Sequence, residues 1–457
     1  MRLSAIILAA GEGKRMLSSI PKALHCLAGK PLLEHVVETA QKIIADEIFV
    51  VYGHGGEQVR KKLKHLPVTW VKQAKQGGTG HAVLQVLPQL KSDHRALILY
   101  GDTPLISTKT LSKFLDETPE NSVGWLTSHI DDPFGLGRIV RDEDQNPVKI
   151  VEEKDATEQQ KAICEINTGV CLVPVDHLRK WLPNLGNNNA QKEYYLTDIF
   201  AMALADGVRI VTTSAESTTE TLGINSNDQL AFLERVFQRE LAKKYMQEGL
   251  TLLDPSRFDV RGTLTFGKDV VVDINVIIKD EVSIGSNCYI GPNVILRDVV
   301  VGDNVEINAN SVIDSATIGN HCFIGPFSRI RPETKIKDGA KIGNFVEIKK
   351  SEIGEKSKIN HLTYIGDTVM GGGVNIGAGS VTCNYDGVNK HKTIIEDDVF
   401  VGSDTKLIAP IKIGKGATIG AGSTITNDVP PKYLTLSRSK QVTIEEWKRP
   451  TKDKKKD

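Results

Sequence analysis

The sequence has few cysteines and no excess of charge of either sign. Its six cysteines, among 457 residues, are too sparse for a disulfide framework, and no two have the CxxC spacing typical of a structural zinc site. Sparse cysteine of this kind is typical of proteins in a reducing compartment. The 57 basic residues are balanced by 57 acidic ones, so electrostatics give no reason to expect a nucleic-acid partner.

Long hydrophobic runs are also missing. No stretch approaches the roughly 20 apolar residues that a bilayer-spanning helix requires. The apolar run at residues 5–10 is too short for a signal peptide, and the polar residues 11–15 follow it at once. We therefore expect a cytoplasmic protein with no membrane partner, and its length predicts more than one domain.

An aliphatic residue recurs at every sixth position through much of residues 284–425. The longest run consists of Ile318, Ile324, Ile330, Ile336, Ile342 and Ile348. Six is the period of neither a helix nor a simple strand. It suits a coil of short strands in which each unit supplies one flat face and one inward aliphatic side chain. A β-sandwich would instead alternate with period two and turn about every 8–12 residues. The repeat predicts a β-helix.

Residues 1–226 alternate predicted strands and helices. The strands are predicted at residues 5–10, 47–52 and 96–100, and the first helix at residues 31–45. This alternation implies a mostly parallel sheet covered by helices, with ligands outside the carboxyl ends of its strands. Helical spacing at residues 227–249 predicts a linker helix, and residues 250–457 form the β-helix domain. The Lys-rich tail, residues 448–457, is predicted to be a solvated end.

Residues 8–16, LAAGEGKRM, join a predicted strand to a predicted helix. Gly11 and Gly13 allow backbone N–H groups to approach an anion closely, and a helix N-terminus favours phosphate. Arg15 adds a forked cation. The loop lacks the Gly-Lys-Ser/Thr ending of a Walker A loop, and Met16 stands where the Rossmann fingerprint has its third glycine. Alone, the loop predicts either a phosphate site or a tight turn.

The residues that follow this loop narrow the alternatives. They are, in order, Pro21-Lys22, Gln73, the GGTG segment at residues 77–80, and Tyr100-Gly101-Asp102. This order resembles the nucleotide-sugar pyrophosphorylases, with their LAAGxGxRM and Pro-Lys signature. Lys14 departs from the family pattern, which more often has a small hydroxyl residue there.

The resemblance implies that a sugar-1-phosphate oxygen attacks the α-phosphate of UTP and pyrophosphate leaves, a reaction that depends on charge neutralisation. Arg15 and Lys22 would be the catalytic cations, and Asp102 and Asn225 would hold Mg²⁺, which prefers oxygen ligands. The nucleotide and sugar would contact Leu8, Ala9, Ala10, Gly11, Lys22, Gln73, Gly78, Thr79, Tyr100, Gly101, Asp102, Gly137, Glu152, Asn167 and Asn225.

Polar residues interrupt the hexads at positions one or two coils apart, so that they could line one cleft. They include Arg331, Lys349, His361, Tyr364 and Asn375. The register also breaks between residues 381 and 394, which predicts a loop extruded from the coil. A lone histidine in such a coil is usually a satisfied polar residue, whereas a histidine flanked by cations is a candidate for chemistry.

The segments NFVEIKK, NHLTYIGD, NIGAGSVTCNYDG and DDVFVGSDT resemble the hexapeptide-repeat acyltransferases. With the first half, they resemble the bacterial bifunctional family that joins N-acetylglucosamine-1-phosphate uridyltransferase to glucosamine-1-phosphate N-acetyltransferase. That resemblance covers essentially the whole chain. It implies an α/β nucleotidyltransferase with a Rossmann-like mixed sheet, then a left-handed parallel β-helix of hexapeptide repeats, assembled as a homotrimer.

The resemblance also implies residue roles for acetyl transfer from acetyl-CoA to glucosamine-1-phosphate. His361 would be the general base, Glu347 could orient its ring, and the backbone N–H near Ser403 could stabilise the oxyanion. The sugar phosphate would be bound by Arg331, Lys349, Tyr364 and Asn375. Acetyl-CoA would contact Ala378, Asn384, Tyr385, Ser403, Ala421 and Arg438. The resemblance implies that uridylyl transfer to the N-acetylglucosamine-1-phosphate so formed gives UDP-N-acetylglucosamine, which would supply peptidoglycan and lipopolysaccharide synthesis.

Two alternatives remain. One is a single-activity sugar nucleotidyltransferase with a structural or regulatory β-helix, organised like the ADP-glucose pyrophosphorylases. The polar cluster around His361 argues against it. The other is a structural solenoid with a degenerate first domain, which the presence of Arg15, Lys22, Asp102 and Asn225 argues against.

Overall fold

The computed structural model describes residues 2–11, 13–43, 45–53, 55–189 and 191–452, so part of the predicted solvated tail, residues 453–457, lies outside the described residues. The chain divides into two compact units, residues 1–241 and 242–457. The division falls inside a long helix, Asn227–Gln247, where helical spacing predicts one. In the described part of the chain, no helix is long and apolar enough to cross a membrane.

The first unit contains a mixed sheet with helices on both faces and a separate two-stranded antiparallel sheet. Its strands are β1 Leu3–Ala9, β2 Cys26–Leu27, β3 Lys30–Pro31, β4 Glu47–Tyr52, β5 Thr69–Lys72, β6 Arg95–Tyr100, β7 Val123–His129, β8 Arg138–Arg141, β9 Pro147–Val151, β10 Glu165–Pro174 and β11 Ile210–Ser214. Its helices are α1 Leu32–Lys42, α2 Gly56–Lys62, α3 Thr79–Val86, α4 Thr108–Glu117, α5 Glu158–Lys161, α6 Val175–Trp181, α7 Asp198–Ala205 and α8 Asn227–Gln247.

The main sheet has the order β11-β7-β10-β6-β1-β4-β5. Strands β6, β1, β4 and β5 are parallel, so their carboxyl ends meet at one edge. Alternate residues of β1 enter different cores, Ile6 and Leu8 on one face and Ala5 and Ile7 on the other. Strand β10 runs antiparallel to β6 and β7, which makes the sheet mixed.

The prediction of a helix directly after β1 is wrong. The structure has only one turn of 3-10 helix there, Lys14–Met16. Left-handed residues border this turn, Gly13 with φ 65° and Leu17 with φ 48°. A left-handed residue stops a right-handed helix from continuing, so no helix macrodipole supports an anion at this loop.

The second unit is a single continuous parallel β-structure. Among its described residues, the strands are β12 Thr251–Leu252, β13 Phe258–Phe266, β14 Val271–Val272, β15 Val276–Ile284, β16 Tyr289–Ile290, β17 Ile295–Val301, β18 Glu306–Ile307, β19 Val312–Ile318, β20 Phe323–Ile324, β21 Arg329–Ile330, β22 Thr334–Ile336, β23 Lys341–Lys349, β24 Glu352–Ile353, β25 Lys358–Gly366, β26 Thr368–Met370, β27 Asn375–Ile376, β28 Val381–Cys383, β29 Thr393–Ile395, β30 Phe400–Val401, β31 Lys406–Ile408, β32 Ile411–Ile413, β33 Thr418–Ile419, β34 Thr424–Ile425 and β35 Leu434–Thr435.

One coil of this β-helix contains three hexads. Phe258 pairs with Val276, its equivalent three hexads further along the chain, whereas the coil that pairs Lys341 with Lys358 is one residue shorter. The hexad aliphatics are buried and stack in register from one coil to the next, as Ile342 does on Ile359. The predicted hexapeptide β-helix is confirmed.

Sharp corners separate the three sides of each coil. Many corner residues are left-handed asparagines, and Asn275, Asn293 and Asn310 stack there with φ near 59°. Asparagine tolerates this conformation better than most residues with a side chain. Their amides form a ladder, with Nδ2 of one bonded to Oδ1 of the next at 3.0 and 3.1 Å.

One coil is longer than the rest. Met370 of β26 pairs with Ile395 of β29, so this coil exceeds three hexads by more than one further hexad. The extra residues form the loop between β28 and β29, where the hexad register breaks. Within it, Tyr385 and Lys390 form an antiparallel bridge, so the loop is a small hairpin.

Candidate active sites

The first candidate site is a cavity of about 490 Å³ at the carboxyl ends of β1 and β6. The predicted residues that line it are Leu8, Ala10, Gly11, Arg15, Lys22, Gln73, Gly78, Thr79, Tyr100, Asp102 and Asn225. The predicted residues Ala9 and Gly101 do not line it and lie against each other, with a Cβ added to Gly101 only 3.2 Å from the Ala9 Cβ. Gln76 also lines the cavity and donates its amide to the Ala10 carbonyl at 2.6 Å, a contact that the sequence motif does not indicate.

A lysine ammonium lies between the two predicted magnesium ligands. Lys22 Nζ donates to Asp102 Oδ2 and, at 2.7 Å, to Asn225 Oδ1. The Ile224 N–H donates to the Asp102 carbonyl at 2.9 Å and so brings Asn225 beside Asp102. A carboxylate and an amide oxygen converging on one positive group are a suitable donor set for Mg²⁺. The residues present therefore fit this ion.

A second segment of the chain fixes the turn that opens α3. Gln73, which is 4% exposed, donates Nε2 to the Gly78 carbonyl at 3.1 Å. Gly78 has φ 98°, and a Cβ there would lie 2.7 Å from the Tyr194 carbonyl oxygen. Thr79 Oγ1 accepts from the Leu196 N–H at 3.0 Å. Residues 194–196 thus hold Gly78 and Thr79, a contact between distant segments that no local motif indicates.

The predicted sugar-binding residues also lie together. The Asn167 N–H donates to the Gly137 carbonyl at 2.8 Å, and a Cβ on Gly137 would lie 3.4 Å from the Glu152 carboxylate. Burial, together with the carboxylates of Asp155 and Asp198, raises the pKa of Glu152. Glu152 lines a separate cavity of about 380 Å³ with Asp155 and Asp198, rather than the wall of the first cavity.

The second candidate site spans consecutive coils of the β-helix. In the parallel register, Asn344 lies opposite His361 and Glu347 lies opposite Tyr364. The His361 ring approaches Asn344 Oδ1 through Nδ1 at 3.0 Å. Glu347 instead accepts from Arg331 Nη1 at 2.7 Å. The expectation that Glu347 orients the histidine is therefore wrong, because the register places Asn344 next to the ring.

Three cations converge near the end of β23. Lys349 and Lys390 approach each other, and Arg331 lies near both. The neighbouring Lys390, and to a smaller extent Arg331, lower the pKa of Lys349. Lys390 belongs to the extruded hairpin and was not predicted as a site residue. The only sequence signal for it is the break in the hexad register.

Tyr364 and Asn384 meet over a glycine. A Cβ on Gly366 would lie 2.5 Å from the Tyr364 hydroxyl and 2.8 Å from Asn384 Nδ2. Asn384 is 7% exposed and donates Nδ2 to Asp367 Oδ2 at 2.5 Å. Only glycine at position 366 leaves room for the Tyr364 hydroxyl and the Asn384 amide. The hydrogen bond between Asn384 and Asp367 also holds the base of the hairpin here.

The predicted acetyl-CoA residues stack along one side of the last coils. Ala378, Ser403 and Ala421 follow the register that pairs Ile376 with Val401 and Val401 with Ile419. Arg438 Nη1 donates to the Ala421 carbonyl at 3.1 Å. Asn375 pairs with Phe400 in the same register, and Tyr385 is exposed on the hairpin. The structure thus places these residues along adjacent coils.

Comparison with known proteins supports both halves of this description. A model of the MobA-like NTP transferase domain matches residues 5–143, one of the GMPPB C-terminal domain matches residues 260–334, and one of the bacterial transferase hexapeptide (six repeats) matches residues 392–427. A relative named bifunctional protein GlmU, from Methylococcus capsulatus, is 52% identical over 100% of this chain and 99% of its own. The chain belongs to the bifunctional GlmU family.

Two further relatives with the same name agree. The one from Azoarcus sp. is 50% identical over 99% of this chain and 100% of its own, and the one from Aromatoleum aromaticum is 50% identical over 99% of each. The predicted order of a nucleotidyltransferase domain and hexapeptide repeats is confirmed. The predicted membership of a bifunctional enzyme family is confirmed as well.

Proposed function

We propose that the chain makes UDP-N-acetylglucosamine in two steps at two separate sites. The second unit transfers an acetyl group from acetyl-CoA to glucosamine-1-phosphate. The first unit then transfers a uridylyl group from UTP to the N-acetylglucosamine-1-phosphate and releases pyrophosphate. The observation that carries this proposal is the convergence of Arg331, Lys349 and Lys390 on the strand pair that also carries His361, because a purely structural β-helix has no need of such a cluster.

The three cations form the phosphate site for glucosamine-1-phosphate. Like charges at close range repel, and a phosphate dianion between them replaces repulsion by attraction. Arg331 supplies a forked donor, and Lys349 and Lys390 supply ammonium groups. Tyr364 and Asn375 orient the sugar ring. The close contact of Lys349 with Lys390, which lowers the pKa of Lys349 and raises that of Lys390, supports this assignment.

His361 acts as the general base of acetyl transfer. An amide oxygen beside Nδ1 accepts the ring proton there, which leaves Nε2 free to take a proton from the attacking amine. The amine attacks the thioester carbonyl, and coenzyme A leaves as the thiol. The N–H of Ser403 stabilises the oxyanion. Acetyl-CoA lies along the wall formed by Ala378, Asn384, Tyr385, Ser403, Ala421 and Arg438.

Arg15 and Lys22 act in uridylyl transfer by stabilising negative charge on the triphosphate and on the departing pyrophosphate. Asp102 and Asn225 would hold Mg²⁺, which would neutralise phosphate charge when bound. Gln73, Gly78, Thr79 and the backbone of residues 8–11 bind the uracil. Gly137, Glu152 and Asn167 hold the sugar.

We also propose that the protein is a cytoplasmic homotrimer with a left-handed coil. An apolar ladder at one corner of the β-helix supports the assembly. Phe327, Phe345 and Leu362 stack there on consecutive coils, and they are 49%, 56% and 64% exposed in one chain. The ladder adjoins Asn344 and His361, so a second copy that covered it would also close the acetyl-transfer site.

Separate assays on single variants test the two-site proposal. His361→Ala should lower acetyl transfer by about 100- to 10,000-fold, the range for loss of a general base, and leave uridylyl transfer unchanged. Asp102→Ala should do the reverse. His321→Ala is the matched control, because His321 is an exposed histidine elsewhere in the β-helix.

The two reactions are followed by release of the coenzyme A thiol and by release of pyrophosphate. The proposal is overturned if His361→Ala retains acetyl transfer, or if one substitution abolishes both reactions in a protein that still folds.

A further inference from the structure

The hairpin that carries Lys390 buries few apolar side chains, so hydrophobic packing does little to fix its position. Its residues 385–390 are all exposed. At its base, Asn384 is buried, and the His391 N–H donates to the Asn384 carbonyl at 2.8 Å. Beyond that base, hydrophobic packing contributes little, so polar contacts must determine where the tip of the hairpin lies.

One carboxylate supplies most of these polar contacts. Asp386 Oδ1 accepts from the N–H groups of Val388 at 2.8 Å and Asn389 at 2.7 Å, which closes the turn. Its other oxygen, Oδ2, lies 2.7 Å from His391 Nε2. Asp386 therefore ties the outgoing arm and the turn to the returning arm. The contact with His391, followed by the two backbone bonds, holds the pKa of Asp386 well below its usual range.

This clamp is adjacent to the lysine that approaches the phosphate site. Lys390 directly precedes His391 and is bridged to Tyr385, which precedes Asp386. Lys390 contacts Lys349, and this contact, with the charges of Asp367 and Tyr364, raises the pKa of Lys390, while Arg331 lowers it. An exposed lysine on an unrestrained loop would sample many positions, and only some of them lie near these groups. The contacts of Asp386 with His391 and with the Asn389 N–H restrain the backbone on both sides of Lys390 and so limit those positions.

We infer that Asp386 and His391 are positioning residues for acetyl transfer, which hold Lys390 at the site of the acceptor's phosphate. The inference rests on the proposed acetyl-transfer function of the second unit. Neither residue touches the reacting atoms. Their effect is to keep a third cation in place before the substrate arrives, which lowers the conformational cost of binding it.

Steady-state kinetics on the full chain separate positioning from general stability. His391→Phe keeps an aromatic ring but removes the hydrogen bond to Asp386. We expect about a tenfold rise in the KM for glucosamine-1-phosphate, the effect of losing one hydrogen bond to a charged group, with little change in kcat. His391→Gln retains a donor and should recover most of the wild-type KM. Uridylyl transfer should not change in either variant.

A double-mutant cycle tests whether His391 acts through Lys390. Lys390→Met should raise the same KM, and the double variant with His391→Phe should be no worse than Lys390→Met alone. Lys392→Met is the matched control, because Lys392 is an exposed lysine on the same loop. It should leave the KM unchanged.

The inference is overturned if His391→Phe changes the KM by less than twofold while Lys390→Met raises it. It is also overturned if the two effects multiply in the double variant. If Lys390→Met itself leaves acetyl transfer unchanged, the phosphate site is wrong, and it is the proposed function of that cluster that fails.

Discussion

Gly13 provides a direct test of the contact between Lys22, Asp102 and Asn225. A Cβ at position 13 would lie 2.8 Å from the Lys22 Cβ. Unstrained carbon atoms pack at about 3.5–4.0 Å, so Gly13→Ala must displace Lys22 by about 1 Å. Its ammonium would then leave the position from which it reaches Asn225 at 2.7 Å. A catalytic group misplaced by about 1 Å costs on the order of 100-fold in rate.

The backbone adds a second effect, which must be separated from the first. Gly13 has φ 65°, a left-handed conformation that costs a residue with a side chain about 1–2 kcal/mol. Gly207→Ala is the matched control, because Gly207 has φ 68° and its added Cβ would meet nothing within 4 Å. Both variants should lose similar stability in thermal unfolding, whereas only Gly13→Ala should lose activity.

The assay follows pyrophosphate release from UTP and N-acetylglucosamine-1-phosphate in the presence of Mg²⁺, with coenzyme A release as the internal reference. We expect about a 100-fold loss of uridylyl transfer for Gly13→Ala, with acetyl transfer unchanged. Uridylyl transfer within threefold of wild type would refute the assigned role of the Lys22 contact. An equal loss in Gly207→Ala would refute the claim that the effect is local.

Other expected outcomes test the β-helix. Gly366→Ala should lower acetyl transfer at least tenfold, because its Cβ displaces the Tyr364 hydroxyl and Asn384, and it should spare uridylyl transfer. Ile342→Ala removes a fully buried side chain from the ladder and should cost about 2–5 kcal/mol in unfolding by denaturant. Lys390 and, to a smaller extent, Arg331 lower the pKa of Lys349 in the free protein, and a phosphate bound beside Lys349 would raise it. Glucosamine-1-phosphate binding should therefore take up protons in alkaline solution and weaken as the pH rises further. Calorimetry in buffers of different ionisation enthalpy should detect this uptake, and Lys349→Met should abolish it.

The regular part of the fold could be predicted because burial repeats in the sequence. The inward aliphatics of the β-helix recur at every sixth position. The break in this spacing at residues 381–394 indicates that extra residues are inserted there. The position of β10 between β6 and β7 could not be predicted, because antiparallel insertion depends on pairing between distant segments. No long helix follows β1 because Gly13 and Leu17 are left-handed. The sequence signals this conformation only at Gly13, because glycine adopts it readily and leucine does not.

The candidate sites were partly predictable for a similar reason. Motifs indicate which residue types serve a reaction, and the structure brings Lys22, Asp102 and Asn225 together as those motifs predict. Contacts between neighbouring coils were harder to predict. Glu347 and Asn344 are both polar and close in sequence, and only the register decides which one faces His361. The place of Lys390 depends on the fold of the hairpin, which the repeat does not encode.

The long coil between β26 and β29 has a consequence for how this protein can change. After the hairpin, strands resume with parallel partners, and the next coil, which pairs Thr393 with Ile411, again contains three hexads. An insertion at that corner therefore leaves the strand pairing of the coils before and after it unchanged. Loop length and loop sequence can therefore vary independently of the scaffold. Exchanging the hairpin for one of another length should therefore leave the strand register of the β-helix unchanged while altering the place of Lys390.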